Sequence, residues 1–161
     1  MSGHDLIAEF PPDSEGKLVD NMQFSERAGL ELLHVERGRT VMRMAFEPNI
    51  NHVGMMYAGA LFTLGEIPGG VLFGGAFDVS RFYPIVGEMS IRFVRPAMTR
   101  VLVDARMSDD EIERVTAELE EHGKAKYVLD QELVDENGDV VATTSATYLS
   151  LIHISEPTRP Y

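Results

Sequence analysis

Apolar and polar positions follow two different periods along this chain, and each change of period marks an element. Leu30 to Glu36 and Thr40 to Glu47 read as strands joined by the hairpin turn Arg37-Gly38-Arg39. Pro84 to Arg95 alternates, with Ile85, Gly87, Met89, Ile91 and Phe93 on one face and Glu88, Ser90 and Arg92 on the other, as a half-buried antiparallel strand does. Val101 to Met107 alternates again, and Lys124 to Val134 with Val140 to Tyr148 forms a hairpin around Asn137-Gly138. Two stretches carry the helical period. From Ser108 to His122, Ile112, Val115 and Leu119 make one apolar stripe, with Ser108 and Glu111 placed as a capping box and Gly123 as the stop. From about Ala58 to Ala76 the chain is apolar on all sides, which predicts a helix wrapped by protein, and Pro68 inside it removes one backbone hydrogen bond. Lys17 to Ala28 reads as a short helix, and residues 1–16, with Pro11-Pro12, as a flexible arm. Antiparallel strands around one central helix predict an α+β fold, a curved sheet on a helix, as a single domain over residues 17–149.

Charge sharpens the reading of that helix. Between Val53 and Phe77, Glu66 is the only charged residue. A carboxylate there loses hydration and must be neutralised, paired or used. A membrane span of this length is opposed by Glu66, Pro68, the glycines at 54, 59, 65, 69, 70, 74 and 75, and the missing basic flanks. The net charge of −12 argues against nucleic acid and anionic membranes as partners. Half of it sits between Ser108 and His122, where seven acids face Arg114 alone, a solvated face. There is no cysteine, so disulfides and thiolate chemistry are excluded. No second ligand stands at metal spacing from His52, so no metal is expected. The N-terminus lacks a signal-peptide pattern, and a cytoplasmic location is expected.

The stretch Asn51-x-x-Gly54, Tyr57-Ala58-Gly59 and Leu61-Phe62-Thr63-Leu64-Gly65-Glu66, followed by Ser90-Ile91-Arg92-Phe93-Val94-Arg95-Pro96-Ala97, resembles the hotdog-fold thioesterases of the phenylacetyl-CoA (PaaI-like) branch. The resemblance spans roughly residues 28–148, with the 108–122 helix as an insertion found in some relatives. It implies hydrolysis of an acyl-CoA thioester, without cofactor, by a homodimer or a dimer of dimers. Glu66 would be general base or nucleophile, the Gly59 amide would polarise the carbonyl, and Asn51 would position water or substrate. Tyr57 stands where the family usually has His, Glu66 where it usually has Asp, and Val86-Gly87 near the place of a water-holding Ser or Thr.

The residues themselves supply a geometric argument. First-turn amides of a helix have no intrahelical acceptor and sit at the positive end of its dipole. Gly59 lets a carbonyl approach them, and Glu66 follows two turns later on the same face, about 10 Å along the axis. One reacting centre cannot reach both groups of one chain, which favours a site shared across a two-fold axis. Tyr57, His52, Ala58, Met56, Phe62, Arg92 and Arg95 are the candidates for substrate contacts, the arginines for CoA phosphates. Met55, Leu61, Phe73 and Phe82 offer further apolar lining. Two other functions remain open: an acyl-CoA or lipid-binding module without catalysis, and a 3-hydroxyacyl dehydratase with His52 as base. Finally, Leu149 to Arg159 reads like a sequencing adaptor translated in frame, so residues 150–161 are expected to be a non-native tail whose apolar start can still lengthen a strand.

Overall fold

The computed structural model describes residues 1–19 and 21–153. Its elements run α1 (Gly3–Glu9), β1 (Lys17–Leu18), α2 (Gln23–Ala28), β2 (Leu30–Glu36), β3 (Arg39–Met44), a 3-10 turn (Glu47–Asn49), α3 (Ala58–Ala76), β4 (Phe82–Phe93), β5 (Val101–Arg106), α4 (Asp109–His122), β6 (Lys124–Asp135) and β7 (Val140–Ile152). The strands form one antiparallel sheet in the order β1-β2-β3-β5-β6-β7-β4. This sheet packs against α3, the α+β hotdog arrangement that the resemblance implies.

Sheet and helix approach closely because two helix residues lack a Cβ. A methyl at Gly65 would lie 2.6 Å from the Thr144 side chain, and one at Gly69 would collide with the Tyr148 ring. The approach lets three inward side chains of the sheet reach the helix backbone. Gln131 donates to the Gly65 carbonyl at 2.7 Å, Tyr148 to that of Glu66 at 2.5 Å, and Tyr127 to that of Gly69 at 3.2 Å. These bonds fasten α3 on either side of Pro68, and the helix is continuous through it. Leu64, Leu72 and Phe73 are fully buried beneath. The helix is wrapped by protein on all sides but one: Ala58, Phe62, Gly70 and Gly74 are exposed and Glu66 only half-buried. They recur every fourth residue, so one stripe of α3 faces out between the two edges of the sheet.

Both hairpins turn where expected, with Gly38 at φ 80° and Gly138 at φ 81°. In the second, the Asp135 carboxylate accepts from the amides of Asn137 and Asp139. Ser108 caps α4 by accepting from the Glu111 amide, while the Glu111 carboxylate turns to Arg114 instead of completing the box. Ile112, Val115 and Leu119 pack into the core beside Leu72 and Tyr127.

Three departures from the sequence reading have physical causes. Residues 3–9 form a helix, not an irregular arm: Ser2 and Asp5 cap each other, and Leu6 is buried against Val41, Leu102 and Val134 on the outer face of the sheet. Lys17–Leu18 pairs with β2 as a short edge strand, and the helix expected over 17–28 begins only at Gln23. In β4 the register shifts between Val86 and Glu88, leaving Gly87 as an extra residue. Val86 opposes Tyr148 and Met89 opposes Ala146, so these two share the inner face, and Ile85 falls on the outer one. At the C-terminus β7 continues through Ile152, paired with Phe82, and residues 154–161 of the expected non-native tail lie outside the described residues.

Candidate functional site

The loop before α3 is shaped by Asn51. Its Oδ1 accepts from the amides of Val53 and Met55 at 3.0 and 3.1 Å, and its own amide donates to the Met55 carbonyl at 2.8 Å. Side chain and loop thereby hold each other, and the Nδ2 donor has no acceptor among the described residues. Met56 closes the loop onto the sheet by donating to the Ala97 carbonyl, and Tyr57 starts the helix in an extended conformation without a side-chain cap. The Tyr57 carbonyl accepts from Ala60 and Leu61, while the amides of Ala58 and Gly59 have no acceptor among the described residues. Two free donors thus sit at the positive end of α3. The Tyr57 ring, 58% exposed, lies against Gly59 so closely that a Cβ there would collide with it.

Glu66 has no hydrogen-bond or ion-pair partner for its carboxylate among the described residues. Burial pushes its pKa up from the ordinary 4.5. It borders a cavity of about 460 Å³ whose other walls are Val19, Asn21 and Met22 from the N-terminal segment, Ile67, Gly70 and Val71 from α3, Pro84 to Val86 from β4, and Tyr148. The Tyr148 phenol is raised in pKa by burial and then by the neighbouring Glu66 charge.

Asn51, Met56, Ala58 and Arg95 meet in a separate cavity of about 360 Å³, with Met55, Leu61 and Phe93 to Ala97. Arg95 is drawn to Asp139 at 3.6 Å. Within one chain, therefore, Glu66 and Ala58 open into different cavities, and Gly59 and Tyr57 line neither. His52 is exposed and borders neither. Arg92 stands on the outer face of the sheet beside Asp130 and Glu132, away from Arg95. Phe62 is exposed, 41%, on the open stripe between the two cavities. Phe73 and Phe82 are core residues packed near Leu72, not cavity lining. Asn21, Met22 and Tyr148 were not among the sequence candidates. Tyr148 had a signal, a phenol on the inward face of an alternating strand. Asn21 and Met22 had none, because the curl of the sheet brings them to Glu66. Among the described residues no group of three His, Asp or Glu side chains is arranged for a metal, and no helix is long and apolar enough to cross a membrane.

Comparison with known proteins places this arrangement among relatives. A Pseudomonas aeruginosa protein of unknown function, described as a probable thioesterase, is 47% identical, with a TM-score of 0.80 over 83% of this chain and 90% of that one. A Staphylococcus aureus protein described as a thioesterase enzyme shares the fold at 20% identity and a TM-score of 0.67, over 81% of this chain and 99% of its own. Its structures include one with alanine replacing a glutamine and one with alanine replacing a glutamate fifteen residues further on. A Chlorobaculum tepidum protein of unknown function shares the fold at 15% identity and a TM-score of 0.72, over 94% and 93% of the two chains. No curated protein sequence matches. Residues 21–149 match the model of a domain of unknown function, DUF4442, and the chain belongs to that family.

Proposed function

We propose that this protein hydrolyses acyl thioesters of coenzyme A, with Glu66 as base or nucleophile and the amides of Ala58 and Gly59 as oxyanion hole. The observation that carries the reading is Glu66 itself: a carboxylate without a partner among the described residues, raised in pKa by burial, on the wall of an apolar cavity. A structural acid would be bonded. With Glu66 as base, the carboxylate takes a proton from water, the water oxygen attacks the carbonyl carbon, the new oxyanion is held by the two helix amides, and the thiolate leaves. Asn51 supports its assigned role with an Nδ2 group that has no acceptor among the described residues, in the cavity that Ala58 also lines. The spacing from Asn51 to Glu66 is the same as that of the two substituted residues in the Staphylococcus aureus protein.

The working site needs two chains. β4 is a twelve-residue strand with β7 as its one partner among the described residues, and Ile85, Val86 and Phe93 on it are exposed. So long an open edge is a template for a further strand. Two copies of β4 pairing antiparallel about Ser90, with Gly87 bulged, bring Pro84 to Val86 of one chain to Phe93 to Arg95 of the other. Those are walls of the Glu66 cavity and of the Asn51 cavity respectively. The two half-sites then face each other across the interface, twice per dimer.

Hydrolysis of a panel of acyl-CoA esters tests the reaction, and Glu66→Ala and Gly59→Ala should each lower kcat by about a hundredfold or more. Co-expressed, the two variants should regain on the order of a quarter of wild-type activity, because each mixed dimer assembles one intact site. Full activity in Glu66→Ala would end this assignment. A second reading, acyl-CoA binding without turnover, draws on the Tyr57 ring lying over Gly59. It predicts tight binding of the same esters and no thiol release.

A further inference from the structure

Gly70 has no role in the fold that its neighbours reveal. It stands in the interior of α3, where glycine costs stability relative to alanine. Its φ is not positive, and a Cβ added to it meets nothing within 4 Å. Gly65 and Gly69, on the sheet side, are glycine because Thr144 and Tyr148 leave no room. Gly70 faces the other way, one turn beyond Glu66, into the same cavity. The opposite wall is Val19 and Met22, from the chain beside β1, and the lateral wall is Pro84 to Val86 of β4. The cavity is thus the slot left where the two edges of the sheet approach each other over the helix. Its polar side chains are Glu66, Tyr148, whose hydroxyl donates to the Glu66 carbonyl, and Asn21 on the opposite wall, and the remainder is apolar.

Building on the thioesterase reading, we propose that this slot binds the acyl chain of the substrate and that Gly70 and Met22 set the size it accepts. The thioester carbonyl lies at Glu66 and the chain runs over Gly70 between Met22 and Val86. A volume of about 460 Å³, at roughly 30 Å³ for each water-sized group, holds about fifteen heavy atoms. The substrate class is therefore a medium- to long-chain aliphatic acyl thioester. Met22 is 45% exposed and unbranched, a side chain able to move aside as the chain enters. Residues 1–20 precede the segment matched to the family, so Val19 adds to the slot from outside that domain.

The test uses the full chain with Gly70→Ala and Gly70→Leu, on straight-chain esters from acetyl-CoA to palmitoyl-CoA. Neither side chain meets protein atoms at its Cβ, and Gly70→Ala should raise Tm by about 3 °C through helix propensity. Gly70→Leu should lower the ratio of kcat/KM for octanoyl- and decanoyl-CoA to that for acetyl-CoA by about tenfold or more, with Gly70→Ala between. In parallel, displacement of a fluorescent fatty-acid analogue by free fatty acids reads the slot without catalysis, and Gly70→Leu should weaken the medium chains there too. If no ester is hydrolysed by the wild type but displacement follows this pattern, the slot stands and the catalytic reading falls. An unchanged chain-length profile in Gly70→Leu overturns the slot, as does conversion of dimer to monomer by the same change, which would make Gly70 an interface residue.

Discussion

Glu66 gives up water on folding without gaining a cation among the described residues, and that imbalance has a pH signature. Burial raises its pKa above the ordinary 4.5. The folded chain then holds this proton more tightly than the unfolded chain does. The stability it contributes is complete below the ordinary value and is lost as pH rises through the raised one. Glu66→Gln keeps the volume and removes the ionisation. Thermal unfolding should therefore show Glu66→Gln melting above wild type near pH 7, with the gap closing toward about pH 4. The same proton should set the acid limb of kcat/KM, above 4.5 and rising with pH. Equal melting curves of the two proteins across that range would show that the carboxylate has found a partner. This residue was legible from its neighbours in the sequence, as one charge in an apolar run. Its separation from Asn51 into another cavity was legible only as helix arithmetic, two turns from the Gly59 end.

At the scale of elements, α3 is held by bonds that run across its axis. Side-chain donors from β6 and β7 reach the carbonyls of Gly65, Glu66 and Gly69, around the proline that interrupts the helix's own ladder. Tyr148→Phe deletes one of them and keeps the stack on Tyr127, whose ring centroid lies 5.1 Å away. A loss of about 1 kcal/mol is expected in chemical denaturation. Turnover should fall as well, because the same phenol fixes the backbone of Glu66. Unchanged stability and kcat would assign the bond no positioning role. The elements readable from sequence are those with long periods or distinct punctuation, such as α4 between Ser108 and Gly123 and the hairpins at Gly38 and Gly138. The seven residues of α1 are too few to be helical alone, and it is Leu6 docking on the sheet that stabilises them. The bulge at Gly87 escaped for another reason: a single extra residue inverts every later side chain while leaving the composition of the strand intact.

Across the whole molecule, most arginines among the described residues are paired within the chain. Arg39 is paired with Glu9 and Asp104, Arg43 with Glu31, Arg81 with Glu120, Arg100 with Glu136 and Arg114 with Glu111. Arg43 also holds the N-terminal segment by donating to the carbonyls of Pro12 and Ser14, so these pairs serve the tertiary structure before any ligand. No sequence pattern distinguishes an arginine used this way from one waiting for a phosphate, which is why Arg92 and Arg95 looked equivalent until the sheet turned them apart. With most of its arginines occupied at home, a chain of net charge −12 presents a repulsive field to any polyanion that approaches it. Encounter with a CoA ester should then be an uphill diffusion that added electrolyte eases. Stopped-flow association or kcat/KM for an acyl-CoA is expected to increase between about 20 and 200 mM salt, while an uncharged thioester of the same acyl group should show no such slope. This protein would in that respect run opposite to the usual electrostatically guided enzyme, fastest where the medium hides its charge.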